Sequence, residues 1–278
     1  MKTKLLSLLF LSLLLAAAPS HAQLDLEKEV LIIPDTHNEK PYMWKVLRNP
    51  KDYELNLQYD TTAGTETTFR LGIRSKGPSK IDDLHVFIAD EDLHIYRHMR
   101  PVKSGDGEYL FSFKAPQAGK YRVETVFKTQ EGWINLSKDV KIKGDKKSSE
   151  PEVKPGDEDY SVKARLIPKR IYSEHVVTIL YEIMYKGAPL KGLEKIDGFD
   201  MQVASWDEDL KEFIFATPKQ NLGGPEVAVS IVFMRPGKHA VFGEFKHKGV
   251  IRKVELVVGV QEEPKEDGGS IQNLKPSY

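Results

Sequence analysis

The sequence predicts an all-β chain: two tandem immunoglobulin-like β-sandwich domains behind a signal peptide. Three observations carry this. Short alternating or β-branched runs recur between Gly, Pro, Asn and Asp turns at sandwich spacing, with no amphipathic helix among them. The pattern also repeats. Asp90-Glu91-Asp92-Leu93 and Pro101 return as Asp207-Glu208-Asp209-Leu210 and Pro218 at one offset; a position further, Gly119-Lys120 and Phe127 return as Gly237-Lys238 and Phe245. Finally, the halves are separated by a Lys-, Ser-, Glu-, Pro- and Asp-rich stretch with nothing to bury.

The chain starts with Lys2 and Lys4, an apolar run from Leu5 to Ala18, and the small-x-small site Ser20-His21-Ala22. Residues 1–22 therefore read as a secretory leader, and the expected address is exported, periplasmic or extracellular. No later run is long enough to cross a bilayer. Residues 23–143 are expected to form the first sandwich. Its strands begin with a lead-in at Val30–Ile33, stopped by Pro34, and an apolar patch at Tyr42, Met43 and Trp44. Alternating strands follow near 54–59, 67–73, 109–113, 121–127 and 134–142. Residues 144–159 are the linker. Residues 160–262 form the second sandwich, with strands near 162–167, 176–184, 227–233, 240–245 and 250–260 around a second acidic hairpin at 201–218. The polar residues 263–278 form a disordered tail.

Composition narrows the function classes. Lys plus Arg and Asp plus Glu balance at 41 each, so bulk charge favours neither nucleic acid nor an anionic membrane surface. Cysteine is absent, which removes disulfides, thiol catalysis and soft thiolate ligation from an exported chain. There is no Gly-x-Ser-x-Gly elbow, no His-Glu-x-x-His and no phosphate-cradling glycine loop. The chain is read as non-enzymatic.

The concentrated chemistry lies between Asp83 and Pro101. Two β-rich runs flank the turn Asp90-Glu91-Asp92, and a turn ended by Asp90 and Leu93 sets His85 opposite His98, Phe87 opposite Tyr96 and Ala89 opposite His94. These share one face of the ribbon. Leu84, Val86, Ile88, Ile95 and Met99 take the other, core face, with Arg97 the exception. Opposed histidines have Cβ atoms about 5 Å apart, so His85 and His98, with His94 as a third ligand, form a candidate copper or zinc site. The same pattern also suits a plain cross-strand packing pair, and a one-residue slip sets His85 against Arg97. Asp90, Glu91 and Asp92 lack the full calcium-loop spacing. His175, His239 and His247 read as scattered surface residues. Phe87, Tyr96, Trp133 and Trp206 suit either a recognition surface or core cover.

His85, then Asp92-Leu93, then His98 with a proline three further on, followed by Ala118-Gly119-Lys120-Tyr121, resembles a hairpin in small exported bacterial β-sandwich domains of the YtkA-like and FixH-like type. The likeness covers about Phe69 to Phe127 and more faintly Ile179 to Phe245. It implies an envelope module with an association to heavy-metal or copper handling, His85 and His98 taking the histidine positions. The chain departs where Arg100 replaces a second histidine before the proline, and where Gln202 and Phe215 replace both histidines in the second repeat. The expected function is a tandem β-sandwich interaction or structural module that binds another envelope protein. The alternative is a periplasmic copper- or zinc-handling protein.

Overall fold

The structure is a computed structural model and describes residues 46–144 and 159–263. The expected leader, Val30–Ile33, Trp44, almost all of the linker and almost all of the tail lie outside the described residues. Seventeen strands follow in order: β1 Val46–Arg48, β2 Tyr53–Gln58, β3 Glu66–Ser75, β4 Asp82–Asp90, β5 Tyr96–Met99, β6 Val102–Gly105, β7 Glu108–Lys114, β8 Gly119–Thr129, β9 Gly132–Ile142, β10 Tyr160–Ile167, β11 Val176–Tyr185, β12 Ala188–Pro189, β13 Met201–Asp207, β14 Phe213–Ala216, β15 Glu226–Val232, β16 Gly237–His247 and β17 Val250–Val260.

They make two sandwiches. In the first, the sheet β1-β9-β8-β4-β5 covers the sheet β2-β3-β7-β6. In the second, β14-β13-β16-β17 covers the sheet of β10, β11, β12 and β15. The alternation of β2, β3 and β7 follows from one buried face each: Leu55 and Leu57, then Phe69, Leu71 and Ile73, then Tyr109, Phe111 and Phe113 enter the first core. Val86, Ile88, Val123, Phe127 and Ile134 meet them from the other sheet. Val177, Ile179, Tyr181, Val203, Val241 and Phe245 build the second core in the same way.

The sequence repeat is a structural repeat. Leu93 and Leu210 both adopt left-handed backbone, at φ 58° and 57°. The Leu93 amide donates to the Asp90 carbonyl and Leu210 to Asp207; Glu91 donates to Lys120 and Glu208 to Lys238. The repeated glycines have a backbone reason. Gly119 and Gly237 sit at φ 148° and 121°, which L side chains rarely adopt.

β4 and β13 depart from the one-sided pattern. Every residue of β13 is buried, as is β4 from Leu84 onward. One face of each serves its own sandwich. The other forms a third core between the sandwiches, with Phe87, Ala89, Leu93, Tyr96 and Val126 from the first and Ala204, Trp206, Leu210, Phe213, Phe215, Ala240 and Phe242 from the second. The two related hairpins thus pack against one another. Residues 46–144 and 159–263 fall in a single compact unit.

Candidate functional site

The histidine hairpin was expected to pair His85 with His98. The observed register pairs Phe87 with His98 and Ala89 with Tyr96, a shift of two residues. The cause is the turn. Asp90 Oδ1 accepts the Ile95 amide at 2.7 Å, and left-handed Leu93 lengthens the connection to Glu91–His94, so Ile95 rather than Leu93 closes it. A shift of two preserves parity, so His85, Phe87, Ala89, Tyr96 and His98 do share one face. The inward set also stands: Leu84, Val86, Ile88 and Ile95 are buried in the first core, with Met99 packed against it.

The face itself is not a surface. His85 is 1% exposed, and the aromatic side chains of the second sandwich cover it. Phe215, the counterpart of His98, lies 4.9 Å from the His85 ring and 5.0 Å from Phe87. Phe87 also meets Phe213 at 5.2 Å, and Tyr96 stacks on Phe242 at 4.6 Å and meets Trp206 edge-on. Such geometries add to the area term when aromatic rings are desolvated. Beside Val46, Arg48, Val126, Asn135, Phe213 and Phe215 the packing leaves a crevice of ≈ 10 Å³, about the room one water needs.

The polar groups at this face form a chain. Arg100, which can only donate, bonds His85 Nε2. His85 Nδ1 and His98 Nε2 lie 2.9 Å apart, and His98 Nδ1 lies 2.7 Å from Glu244 Oε2 of the second sandwich. With both rings neutral, donation runs from Arg100 through His85 and His98 to Glu244. Burial, followed by the charge of Arg100, lowers the His85 pKa against the pull of Asp83, 3.2 Å from Nε2. Around the rim, Arg48 donates to the Phe213 carbonyl, Lys253 donates to the Tyr96 carbonyl at 3.0 Å, and Arg100 lies 3.7 Å from Asp197.

The structure brings His85 and His98 together and leaves His94 elsewhere. His94 lies in the turn before β5, where its ring nitrogen and the Asp90 and Asp92 carboxylates come within 4.8 Å of one another. Asp90 has already spent its oxygens on the Ile95 amide and on Gln117 Nε2, 3.1 Å away. Two imidazole nitrogens on one tetrahedral ion stand about 3.3 Å apart. The observed 2.9 Å is hydrogen-bonding distance.

Two buried groups escaped the sequence reading. His239, expected at the surface, is fully buried. It replaces the Tyr121 of the first repeat, sits opposite Asp207, and bonds Glu212 Oε2 at 3.0 Å. Glu212 also accepts the Met234 and Arg235 amides, and Asp207 accepts those of Lys211 and Glu212 and Arg235 Nε. The signal was the acid-basic-acid run Asp209-Lys211-Glu212 directly before a continuous apolar strand, where a buried carboxylate must be paired. The second group, Glu124, pairs with Phe87 and so points at the same inter-sandwich face.

Burial pushes the Glu124 carboxyl up to about 7, against the Asn135 hydrogen bond and the charges of Arg122 and Arg48. The folded protein therefore keeps a proton that the unfolded chain loses near 4.5. This contribution is fully present below about 4.5 and lost as pH rises through about 7. Glu124→Gln, with no titration, is expected to gain stability relative to the parent protein between pH 5 and pH 8. Thermal melts across that range check this; a constant difference contradicts it. His85 works in the opposite sense, contributing above its ordinary 6.5 and losing that contribution on acidification, and it is common to both proteins.

Residues 157–262, a span that includes the strands of the second sandwich, match a family described as a domain of unknown function (DUF8832). No curated protein matches. Among solved structures, the chain is similar to red sea bream transglutaminase at 11% identity and a TM-score of 0.26, covering 88% of this chain and 34% of that one. It is similar to the Escherichia coli adhesin FdeC at 15% identity and 0.24, over 76% of this chain and 64% of that one. The D0-D1 domain of intimin gives 13% identity and 0.24, over 74% and 98%. The chain thus spans about a third of the transglutaminase and under two thirds of FdeC, and at these scores the likeness carries no argument about function.

Proposed function

We propose that the protein is an exported, non-enzymatic component of the cell envelope: a tandem β-sandwich interaction and structural module that presents sheet edges and loops to another envelope protein. One observation carries this reading. The concentrated chemistry of the chain, His85 and His98 with their aromatic neighbours, lies between its own sandwiches, and its ring nitrogens already have protein partners. That arrangement fixes one sandwich on the other and offers no open site to a substrate. The leader-like N-terminus and the YtkA-like and FixH-like hairpin pattern support the address. Among the described residues no helix is long and apolar enough to cross a membrane.

Copper or zinc handling is the second reading. It is favoured by the facing nitrogens and by Glu244, placed as a carboxylate that orients a metal-binding imidazole. It is disfavoured by the short nitrogen separation and by the Arg100 guanidinium beside His85. A titration of the tag-free protein with copper(I), copper(II) and zinc(II), beside His85→Ala/His98→Ala, separates the two. The module reading expects no stoichiometric binding and a double variant of lowered stability. One ion per chain, lost in a variant that stays folded, overturns it.

A further inference from the structure

One end of the second sandwich carries two hairpin turns of the same kind. Lys186-Gly187 joins β11 to β12 and Lys248-Gly249 joins β16 to β17. All four residues have positive φ, at 50° and 76° in the first turn and 54° and 74° in the second. Such turns favour Asn-Gly or Asp-Gly, because most L side chains resist left-handed backbone. Lysine in both calls for a reason beyond the turn itself. Both turns stand in open space: a Cβ added at Gly187 or Gly249 would meet nothing within 4 Å.

The two lysines converge on one phenol. Lys248 Nζ donates to the Tyr185 hydroxyl at 2.7 Å and lies 4.3 Å from the ring centre. Lys186 Nζ lies 5.5 Å from the centre of the same ring. The ring is held in place by Tyr160 at 4.7 Å and by His247, edge-on at 5.2 Å; Tyr160 and His247 are themselves joined by a 2.7 Å hydrogen bond. Asp159 answers Lys186 at 3.5 Å, whereas Lys248 has, among the described residues, the neutral phenol. The Lys248 hydrogen bond, with the charges of both lysines and against desolvation, lowers the Tyr185 pKa. Two ammoniums gathered on a neutral oxygen leave the site short of negative charge.

The first sandwich shows how much of this the fold alone requires. Asp52-Tyr53 and Lys76-Gly77 return as Asp159-Tyr160 and Lys186-Gly187. The Lys76 amide donates to the Asp52 carbonyl as Lys186 does to Asp159, and each lysine also pairs with that aspartate's carboxylate. That frame is shared. The groups around it are not. Ser75 faces Tyr53 where Tyr185 faces Tyr160. Thr129-Gln130-Glu131 precedes Gly132 where His247-Lys248-Gly249 precedes Val250. In the first sandwich these positions line a crevice of ≈ 200 Å³. In the second they hold two rings and an ammonium, and the turn changes from negative to positive.

We propose that Lys186, Lys248 and the Tyr185 hydroxyl form a binding site for the phosphate group of a monoester. The ammoniums supply charge-assisted donors, and the phenol, which accepts from Lys248, keeps its own proton to donate. A phosphate monoester carries close to two charges and three terminal oxygens, which match two cations and three donors; a carboxylate brings one charge and two oxygens. The proposal goes beyond the interaction-module reading and does not depend on it.

Amide NMR of the full protein, titrated with inorganic phosphate from about 1 to about 100 mM at about pH 7.5, where phosphate is largely dianionic, tests this. The expected result is a saturable shift of the Gly187 and Gly249 amides that sodium chloride at equal ionic strength does not reproduce. The affinity is expected to fall at least about fivefold in Lys186→Asn/Lys248→Asn and to stay unchanged in Lys76→Asn. Asparagine suits both turns, so the melting temperature of the double variant is expected to hold or rise, and a lost shift then reports lost charge. Vesicles containing phosphatidic acid separate the sources. Co-sedimentation abolished in the double variant places the phosphate on a lipid headgroup, and binding of free phosphate alone places it on a soluble ester. No saturable shift, a shift reproduced by chloride, or one that survives the double variant overturns the proposal. Tighter binding of a polyglutamate peptide than of phosphate also overturns it, by assigning the lysines to an acidic protein surface.

Discussion

Phe87→Ala is expected to cost about 3–5 kcal/mol and to uncouple the sandwiches before either one unfolds. Phe87 is wholly buried and stands at the centre of the shared core, 4.3 Å from the His98 ring and in contact with Phe213 and Phe215. It belongs to the cluster between the sandwiches and to neither sandwich's own core, so its removal opens a cavity between them. Urea unfolding followed by Trp206 fluorescence reads this directly, since Trp206 is buried in the same interface. The expected curve changes from one transition to two, the earlier marking separation. A single transition at reduced midpoint means that the sandwiches unfold together. A loss below about 1 kcal/mol removes the shared core as a source of stability.

Asp207→Ala is the second large effect, also about 3–5 kcal/mol. Its carboxylate accepts the Lys211 and Glu212 amides at 2.6 and 2.8 Å and Arg235 Nε at 2.9 Å. It thereby closes the second hairpin turn and positions Glu212 for His239. Alanine leaves two turn amides unpaired, that of Glu212 buried and that of Lys211 partly so, and releases Arg235. The first repeat supplies the comparison. Asp90 likewise holds two turn amides, those of Ile95 and His94, but its other partner is the neutral Gln117 in place of Arg235, and burial raises its pKa, so Asp90→Ala is expected to cost clearly less. Chemical denaturation of the two variants checks the order, and equal losses contradict the role given to Arg235.

The architecture was legible because each signal was local. Turn residues, alternation and the repeated Asp-Glu-Asp-Leu and Gly-Lys segments each mark a backbone event within a few residues. Strand parity was likewise readable at the histidine hairpin. Its register was not, because it depends on how many residues the Asp90 carboxylate and left-handed Leu93 add to the turn. The destination of the face was also hidden. His85, Phe87 and Ala89 look like the polar side of a half-buried strand until the run from Leu84 to Asp90 is read as apolar on both sides, as is Phe213-Ile214-Phe215-Ala216. What covers such a face lies in the other repeat, and no periodicity within one hairpin reports it. His239 was missed for a different reason: its partners come from distant segments of its own repeat, Glu212 in the turn after β13 and Phe233 just after β15.

The shared aromatic core also imposes an order in time. Chains are made from the N-terminus at about 5–20 residues per second, and the second hairpin follows the first by roughly a hundred residues. Phe87, Tyr96 and the two histidines are therefore complete for on the order of ten seconds before Trp206, Phe213 and Phe215 exist to cover them. During that interval the newborn first repeat is a sticky intermediate, and a nonsense or frameshift product ending near the linker is one permanently. The expected fate of such a truncated product is aggregation or proteolytic clearance, not a half-active protein.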